Sequence, residues 1–423
     1  DMGIAFTGID TTKTYFFQCG SQGTILHANW GQKPFKYAPP QGYLPLNSAT
    51  VRPNKVVPRP DQHVGVATYR GTGANQQINV GLKPDLVIIK GRDGDYDFVW
   101  QDTVRGLNKT ITSNRTKEET TDNDGVLSVD VSGFVVGANT AGFQSDELNK
   151  SGKNYVTYCF KAGGNKNTFN VDGVGYASAA AAGLTGGDIT PSGASVGTKQ
   201  GFSIIKYAGS GTNGDTLPHG LLQTPDFIIT KNLTDGNVDW IVKPVGLLTD
   251  DSYMLLLNSN TAQFQGTGGY ISAQTSTLLT LTEGNNDGNY NNSGDNYVMY
   301  AWHNIPGLQK FGSYSGNNNA DGPFVELGFR PAVLWVKRRG ATGSWYALDI
   351  ERDKFNNTFR TLSPNQFAQE DSTTGASGYC DFLSNGFKAR IADGSINASD
   401  TYIYAAWATA PSIDLFGGGA NAH

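Results

Sequence analysis

The chain has 423 residues, 38% of them hydrophobic and 11% aromatic but only 16% charged, with 54 glycines and a net charge of −5. That is too long for one ordinary core, too aromatic for a disordered chain, and lacks the clustered Lys and Arg of a nucleic-acid footprint. It fits a turn-rich, all-β protein with packed cores.

Residues 1–47 read as the end of a β domain, with strands at 15–19 and 24–28 separated by Gly20 and Gly23. The opening Asp1-Met2-Gly3-Ile4 suggests a sequence that begins inside a longer product. No signal peptide opens it, and no stretch approaches 18 apolar residues, so membrane insertion is not expected. Residues 48–63 are rich in Pro, Asn and Ser and read as a semi-rigid linker.

Beyond it one strand is written three times: Pro84-Asp85-Leu86-Val87-Ile88-Ile89-Lys90, Pro225-Asp226-Phe227-Ile228-Ile229-Thr230-Lys231 and Pro331-Ala332-Val333-Leu334-Trp335-Val336-Lys337. An apolar run with little alternation suits a strand covered on both faces. Each copy leads to a closing strand whose apolar residues alternate: Val156, Tyr158, Phe160; Val298, Tyr300, Trp302; Ile403, Ala405, Trp407. From proline to closing tyrosine the spacing is 71 (Pro84 to Tyr155), 72 (Pro225 to Tyr297) and 71 (Pro331 to Tyr402). The expected modules are therefore β repeat 1 at 64–163, repeat 2 at 201–305 and repeat 3 at 306–411, followed by a tail at 412–423. The Gly/Ala-rich 164–200 reads as an extended connector with one hairpin, its Ala179 to Ala182 too short for a helix. Tandem β-sandwiches of the jelly-roll or concanavalin kind are the expected fold.

Chemistry is harder to find. Three cysteines (Cys19, Cys159, Cys380) form neither a disulfide framework nor a zinc pattern, and suit a reducing compartment during assembly. Cys159 reads as a small core residue. The five histidines are scattered without metal spacing. Gly193-Ala194-Ser195-Val196-Gly197 matches the hydrolase elbow G-x-S-x-G, but it lies in the connector rather than between a buried strand and a helix. Asp93-Gly94-Asp95-Tyr96-Asp97 and Asp122-Asn123-Asp124-Gly125 resemble the start of calcium loops but fit turns better. Lys337-Arg338-Arg339 reads as a solvated strand end. Trp100, Trp240 and Trp345 stand 14–16 residues after the strand proline in every copy, which favours core over sugar platform. Tyr290, in an Asn/Gly/Asp-rich loop, is the better exposed candidate for ligand contact. No catalytic, cofactor-binding or metal residue is assigned.

Trp30-Gly31-Gln32-Lys33-Pro34-Phe35 with Pro39-Pro40-Gln41-Gly42-Tyr43 resembles the end of a SPRY-type, concanavalin-like sandwich of tailed-phage proteins, which is followed there by a threefold repeat. Gly71-Thr72-Gly73, Asp102-Thr103-Val104-Arg105-Gly106, Tyr155-Val156-Thr157-Tyr158-Cys159-Phe160 and Phe382-Leu383-Ser384-Asn385-Gly386-Phe387-Lys388 carry the likeness through nearly the whole chain. The resemblance is to tail-fibre or related virion proteins of marine and cyanobacterial phages. It implies a non-enzymatic virion component, a tail fibre or appendage assembled in the host cytoplasm. Its implied partners are copies of itself, as a trimer, other virion proteins and host surface polysaccharide. Capsid decoration and a polysaccharide-degrading tailspike are the alternatives.

Overall fold

A computed structural model describes residues 57–411 apart from 58, 139, 141–144, 267–268, 283–287 and 372–377. The expected β-domain end at 1–47, most of the linker and the tail lie outside the described residues. Each repeat contains the same four long strands. The opening strands are Val64–Arg70, Phe202–Ala208 and Gln309–Ser315, and the closing strands are Asn154–Phe160, Asn296–Trp302 and Thr401–Pro411. The proline strands are Leu86–Gly91, Phe227–Asn232 and Phe329–Arg338, and the return strands Phe98–Asp102, Ile241–Pro244 and Trp345–Asp349. Their order in all three sheets is opening, closing, proline, return, with antiparallel pairing throughout. The constant spacing seen in the sequence is this register: Gly91 faces Tyr155, Asn232 faces Tyr297 and Arg338 faces Tyr402.

A smaller three-stranded sheet covers one face of each long sheet, making three all-β sandwiches. In repeat 1 it comprises Gln76–Asn79, Gly133–Val136 and Val126–Val129; in repeat 2, Thr216–Pro218, Leu278–Leu281 and Ile271–Gln274; in repeat 3, Phe324–Glu326, Gly386–Ala389 and Cys380–Leu383. Alternate residues of each proline strand fill that private core: Val87 and Ile89 beside Phe134, Ile228 beside Leu217 and Leu279, Leu334 and Val336 beside Phe382 and Phe387. The intervening residues (Leu86 and Ile88, Phe227 and Ile229, Val333 and Trp335) point the other way, into one core shared by all three repeats. Both faces of the proline strand are thus buried, which is why its sequence shows so little alternation.

The shared core is aromatic. Phe160, Trp302 and Trp407, which stand at the same register position, meet as a triangle with ring centroids 6.1, 5.1 and 6.1 Å apart. Among the described residues six tryptophans are buried. At about 200 Å² each and about 25 cal/mol per Å², each contributes roughly 5 kcal/mol of transfer free energy.

One corner recurs three times. Stacked tyrosines, Tyr69 on Tyr155, Tyr207 on Tyr297 and Tyr314 on Tyr402, have centroids 5.1, 5.1 and 5.3 Å apart. The first hydroxyl of each pair donates to a backbone carbonyl, of Leu148 (2.5 Å), Tyr290 (2.7 Å) or Ile396 (2.6 Å). The chain leaves the opening strand through Gly71, Gly209 or Gly316, where a Cβ would lie 2.3, 2.2 or 2.0 Å from a carbonyl oxygen. Two residues on, Gly73 and Gly211 have φ of +73°, and the third copy places Asn318 there at +52°, the residue that best tolerates this region after glycine.

The 164–200 segment is more structured than an extended connector. Its hairpin, Phe169–Val171 and Val174–Tyr176, is joined by a strand at Gly193–Gly197 that pairs with the opening strand of repeat 2 and extends that sheet to nine strands. Small side chains hide the strand from sequence reading, yet they suit its surroundings: at neighbouring Gly163 a Cβ would lie 2.4 Å from the Val196 backbone. Ala179–Ala182 forms turns.

Candidate functional site

The chemistry of the described residues is concentrated at the seams where repeats meet. The lysine closing each proline strand is buried rather than solvated. Lys90 donates to Tyr96 O in its own repeat and to Phe367 O (2.9 Å) in repeat 3. Lys231 donates to Val238 O (2.8 Å) and, in repeat 1, to Thr116 O (2.8 Å). Lys337 donates to Gly343 O and, in repeat 2, to Asn260 O (3.1 Å) and Thr261 O (2.7 Å). Burial pushes each ammonium down to about 8, while nearby carboxylates raise Lys90 and Lys231. The sequence reading of Lys337-Arg338-Arg339 as a solvated strand end is therefore corrected: Lys337 is 0% exposed, Arg338 pairs with Asp400 (2.7 Å) and Arg339 donates to Leu247 O (3.0 Å).

Backbone bonds repeat the same rotation. Glu119 N donates to Leu233 O (3.1 Å), Gln263 N to Arg339 O (2.9 Å) and Glu370 N to Arg92 O (2.9 Å). Arg92, Leu233 and Arg339 each stand eight residues after their strand proline. Repeat 1 thus reaches repeat 2, repeat 2 reaches repeat 3, and repeat 3 returns to repeat 1. Equivalent head-to-tail contacts that come back to their start make a closed three-membered ring within one chain.

The tryptophans are core, as expected, but they do not share one position. Trp240 and Trp345 each stand four residues before Pro244 and Asp349, which face Phe227 and Val333; Phe98 has that relation to Asp102, which faces Leu86. Phe98 is therefore their counterpart, and Trp100 lies two residues further along. The chemistry follows the register. Trp240 Nε1 donates across the seam to Thr112 O (2.9 Å) and Arg115 O (3.1 Å), and Trp345 Nε1 donates to Leu256 O (2.8 Å). Trp100 Nε1 finds no acceptor among the described residues.

Two seams carry a buried triad. Tyr300 Oη donates to Asp102 Oδ2 (2.8 Å), which also accepts from Arg105 Nε (2.5 Å). Tyr158 Oη donates to Asp349 Oδ2 (2.8 Å), which accepts from Arg352 Nε (2.5 Å). Arg105 and Arg352 reach further, to Glu119 (3.1 Å) and Glu370 (3.4 Å). Although burial opposes charge, the adjoining carboxylates hold both guanidiniums well above their ordinary value, and burial raises both tyrosines. At the third seam the register places Ala405, Pro244 and Leu247 where these groups stand.

The other sequence candidates are absorbed by structure. Tyr290 is corrected: it is 1% exposed and occupies, in repeat 2, the place of the equally buried Leu148 and Ile396. Its polar flanking residues hid it, and the signal that finds it is the buried asparagine that follows each (Asn149, Asn291, Asn397). Ser195 lies inside a buried strand, accepting from Gly163 N (2.9 Å) and donating to Gly164 O (2.9 Å). The carboxylates of the Asp93–Asp97 run tie it to neighbouring segments: Asp93 accepts from Asn154 N (3.2 Å), and buried Asp97 is held by Arg115 (2.7 Å) and Asn114 (2.6 Å). Asp122 Oδ1 accepts from Asp124 N (2.9 Å), a turn geometry. Cys159 and Cys380 are buried and free, their thiols pushed up to about 12 by burial. Among the described residues no three His, Cys, Asp or Glu converge as a metal site, and no helix is long and apolar enough to cross a membrane.

No curated protein and no solved structure matches the chain. One family model, described as a domain of unknown function, matches residues 59–411, a span that takes in all three repeats as a single unit. The ring is that unit, and the chain belongs to the DUF7483 family.

Proposed function

We propose that this chain is a virion structural protein, a tail-fibre or appendage subunit that contributes to recognition of a host surface. The observation that carries the reading is the closed ring itself. Buried lysines, arginines, aspartates and tryptophans link one repeat to the next, as suits a rigid building element. The resemblance to tailed-phage fibre proteins supplies the setting, and host surface polysaccharide the expected ligand class. Fibres commonly obtain threefold architecture from three chains; here one chain already has three equivalent lobes, so assembly into a homotrimer would add a second level of symmetry.

Two measurements test this. Antibody labelling of assembled particles should place the protein on a tail appendage, and the purified protein should bind permissive host cells. Label confined to capsid faces would select decoration instead. Release of reducing ends from host polysaccharide would replace the non-enzymatic reading with an enzyme.

A further inference from the structure

The three seams are alike in geometry but not in covalent connection. Repeats 1 and 2 are joined by the 164–200 segment, whose strands are built into the sheet of repeat 2. Repeats 2 and 3 are joined by a few residues around Pro306, and Gln309 Nε2 sews that junction by donating to Gln200 O (3.0 Å), Gly201 O (2.9 Å) and His303 O (2.8 Å). Repeat 3 meets repeat 1 with no direct link, being connected only through the whole of repeat 2. A tethered contact re-forms at high effective concentration, whereas this one relies on its own contacts.

We propose that Arg92 and Glu370 form an ion-pair latch that closes the ring, and that the seam between repeats 3 and 1 is where the ring opens first. Arg92 Nε and Nη2 donate to the two carboxylate oxygens of Glu370 at 2.9 and 3.0 Å, a bidentate pair with both side chains largely buried. The equivalent positions at the other seams are Leu233 with Glu119 and Arg339 with Gln263, so neither can form the pair. Glu370 also gathers Arg352 (3.4 Å) and Arg360 (3.4 Å) of its own repeat, which fixes the carboxylate for its partner. Ser113 Oγ donates to Pro364 O (2.9 Å) beside it. A strap adds to the closure: Val57 N donates to Pro306 O (3.2 Å), and the short 3-10 turn Pro60–Gln62 packs on the closing strand of repeat 3 just before the chain enters repeat 1. The seam without a tether is the one with a charged clasp.

Hydrogen exchange followed by mass spectrometry on the full chain tests the latch. Arg92→Leu, the residue that repeat 2 carries at this position, should speed exchange about tenfold in segments 92–97 and 363–371 while leaving the other two seams unchanged. Arg339→Leu should not affect the closing seam. Raising wild-type protein to 1 M salt, where the screening length is about 3 Å, should mimic part of the Arg92→Leu effect and do little more to the variant. Unchanged exchange at 92–97 and 363–371 in Arg92→Leu, or an equal rise at all three seams, would overturn the proposal. If Arg92→Leu fails to fold, the salt arm on wild-type protein decides: selective acceleration at the closing seam supports the latch, and uniform or absent acceleration rejects it.

Discussion

The seam between repeats 1 and 2 and the seam between repeats 2 and 3 place the same strands in the same relation with opposite chemistry. The first buries Tyr300, Asp102 and Arg105 in a hydrogen-bonded triad; the second has Ala405, Pro244 and Leu247 at those positions. The reason is visible in the shared core. Across the sheet, repeat 1 aligns Tyr158, Ile88 and Trp100, and repeat 2 aligns Tyr300, Ile229 and Val242, whereas repeat 3 aligns Ala405, Trp335 and Ala347. Trp335 fills the middle of its row and alanines give way on both sides. With no tyrosine at Ala405, an aspartate at position 244 would be buried without its hydroxyl donor. One chain therefore shows that this interface closes with the complete triad or with none of its three members, and it carries no half-filled triad, the costly alternative.

A half-filled triad should be the most damaging state of a seam. Asp102→Ala leaves the buried Arg105 guanidinium with Glu119 (3.1 Å) as its remaining carboxylate and the Tyr300 hydroxyl without its acceptor, and should cost about 3 kcal/mol in denaturant unfolding. The triple change Asp102→Leu, Arg105→Leu, Tyr300→Phe imitates the apolar seam and should return to within about 1.5 kcal/mol of wild type. A triple variant as unstable as the single one would contradict the equivalence of the two solutions. Next in size, Lys337→Met removes the donor shared by three carbonyls at the apolar seam and should cost about 1–3 kcal/mol, read in the same experiment.

A finer contrast uses the tryptophan offset. Trp240→Phe loses both packing and a donor to Thr112 O and Arg115 O, while Trp100→Phe loses packing alone. The former should be worse by about 1 kcal/mol. pH gives a further test. The folded pKa of Lys90, Lys231 and Lys337 is lowered to about 8 from the ordinary 10.5, so between those values the folded state binds fewer protons than the unfolded chain. Stability from these groups should therefore rise as pH climbs from about 8 towards 10, and Lys337→Met should flatten that slope. A slope unchanged by the substitution would mean that the carbonyls keep the ammonium charged. The smallest effect concerns Tyr290. Tyr290→Leu, the residue repeat 1 uses, should change stability by less than about 1.5 kcal/mol in the same denaturant unfolding.

Much of the architecture is legible in the residues. The proline strand announces two-sided burial by its unbroken apolar run, and its spacing to Tyr155, Tyr297 and Tyr402 is a hydrogen-bond register. The seams are not legible, because a lysine ending an apolar strand looks the same whether it meets water or the carbonyls of another repeat. Lys337 shows this, since its acceptors Asn260 and Thr261 lie more than seventy residues away. Trp100 resembles Trp240 and Trp345 by position in the sequence, and only strand register separates them. The strand at Gly193–Gly197 has no side-chain pattern to read, since its pairing is made by backbone alone among small residues. Tyr290 sits among turn-forming residues whose composition suggests exposure, while the packing of its ring is decided by the corner that recurs in each repeat.

The three repeats form one closed ring and share one core. The direct test is segment-resolved hydrogen exchange under increasing denaturant, comparing the proline strands Leu86–Gly91, Phe227–Asn232 and Phe329–Arg338. A shared core predicts that all three merge into one unfolding isotherm with the same free energy and the same denaturant dependence. Three separate isotherms would contradict the ring and describe independent sandwiches on a string.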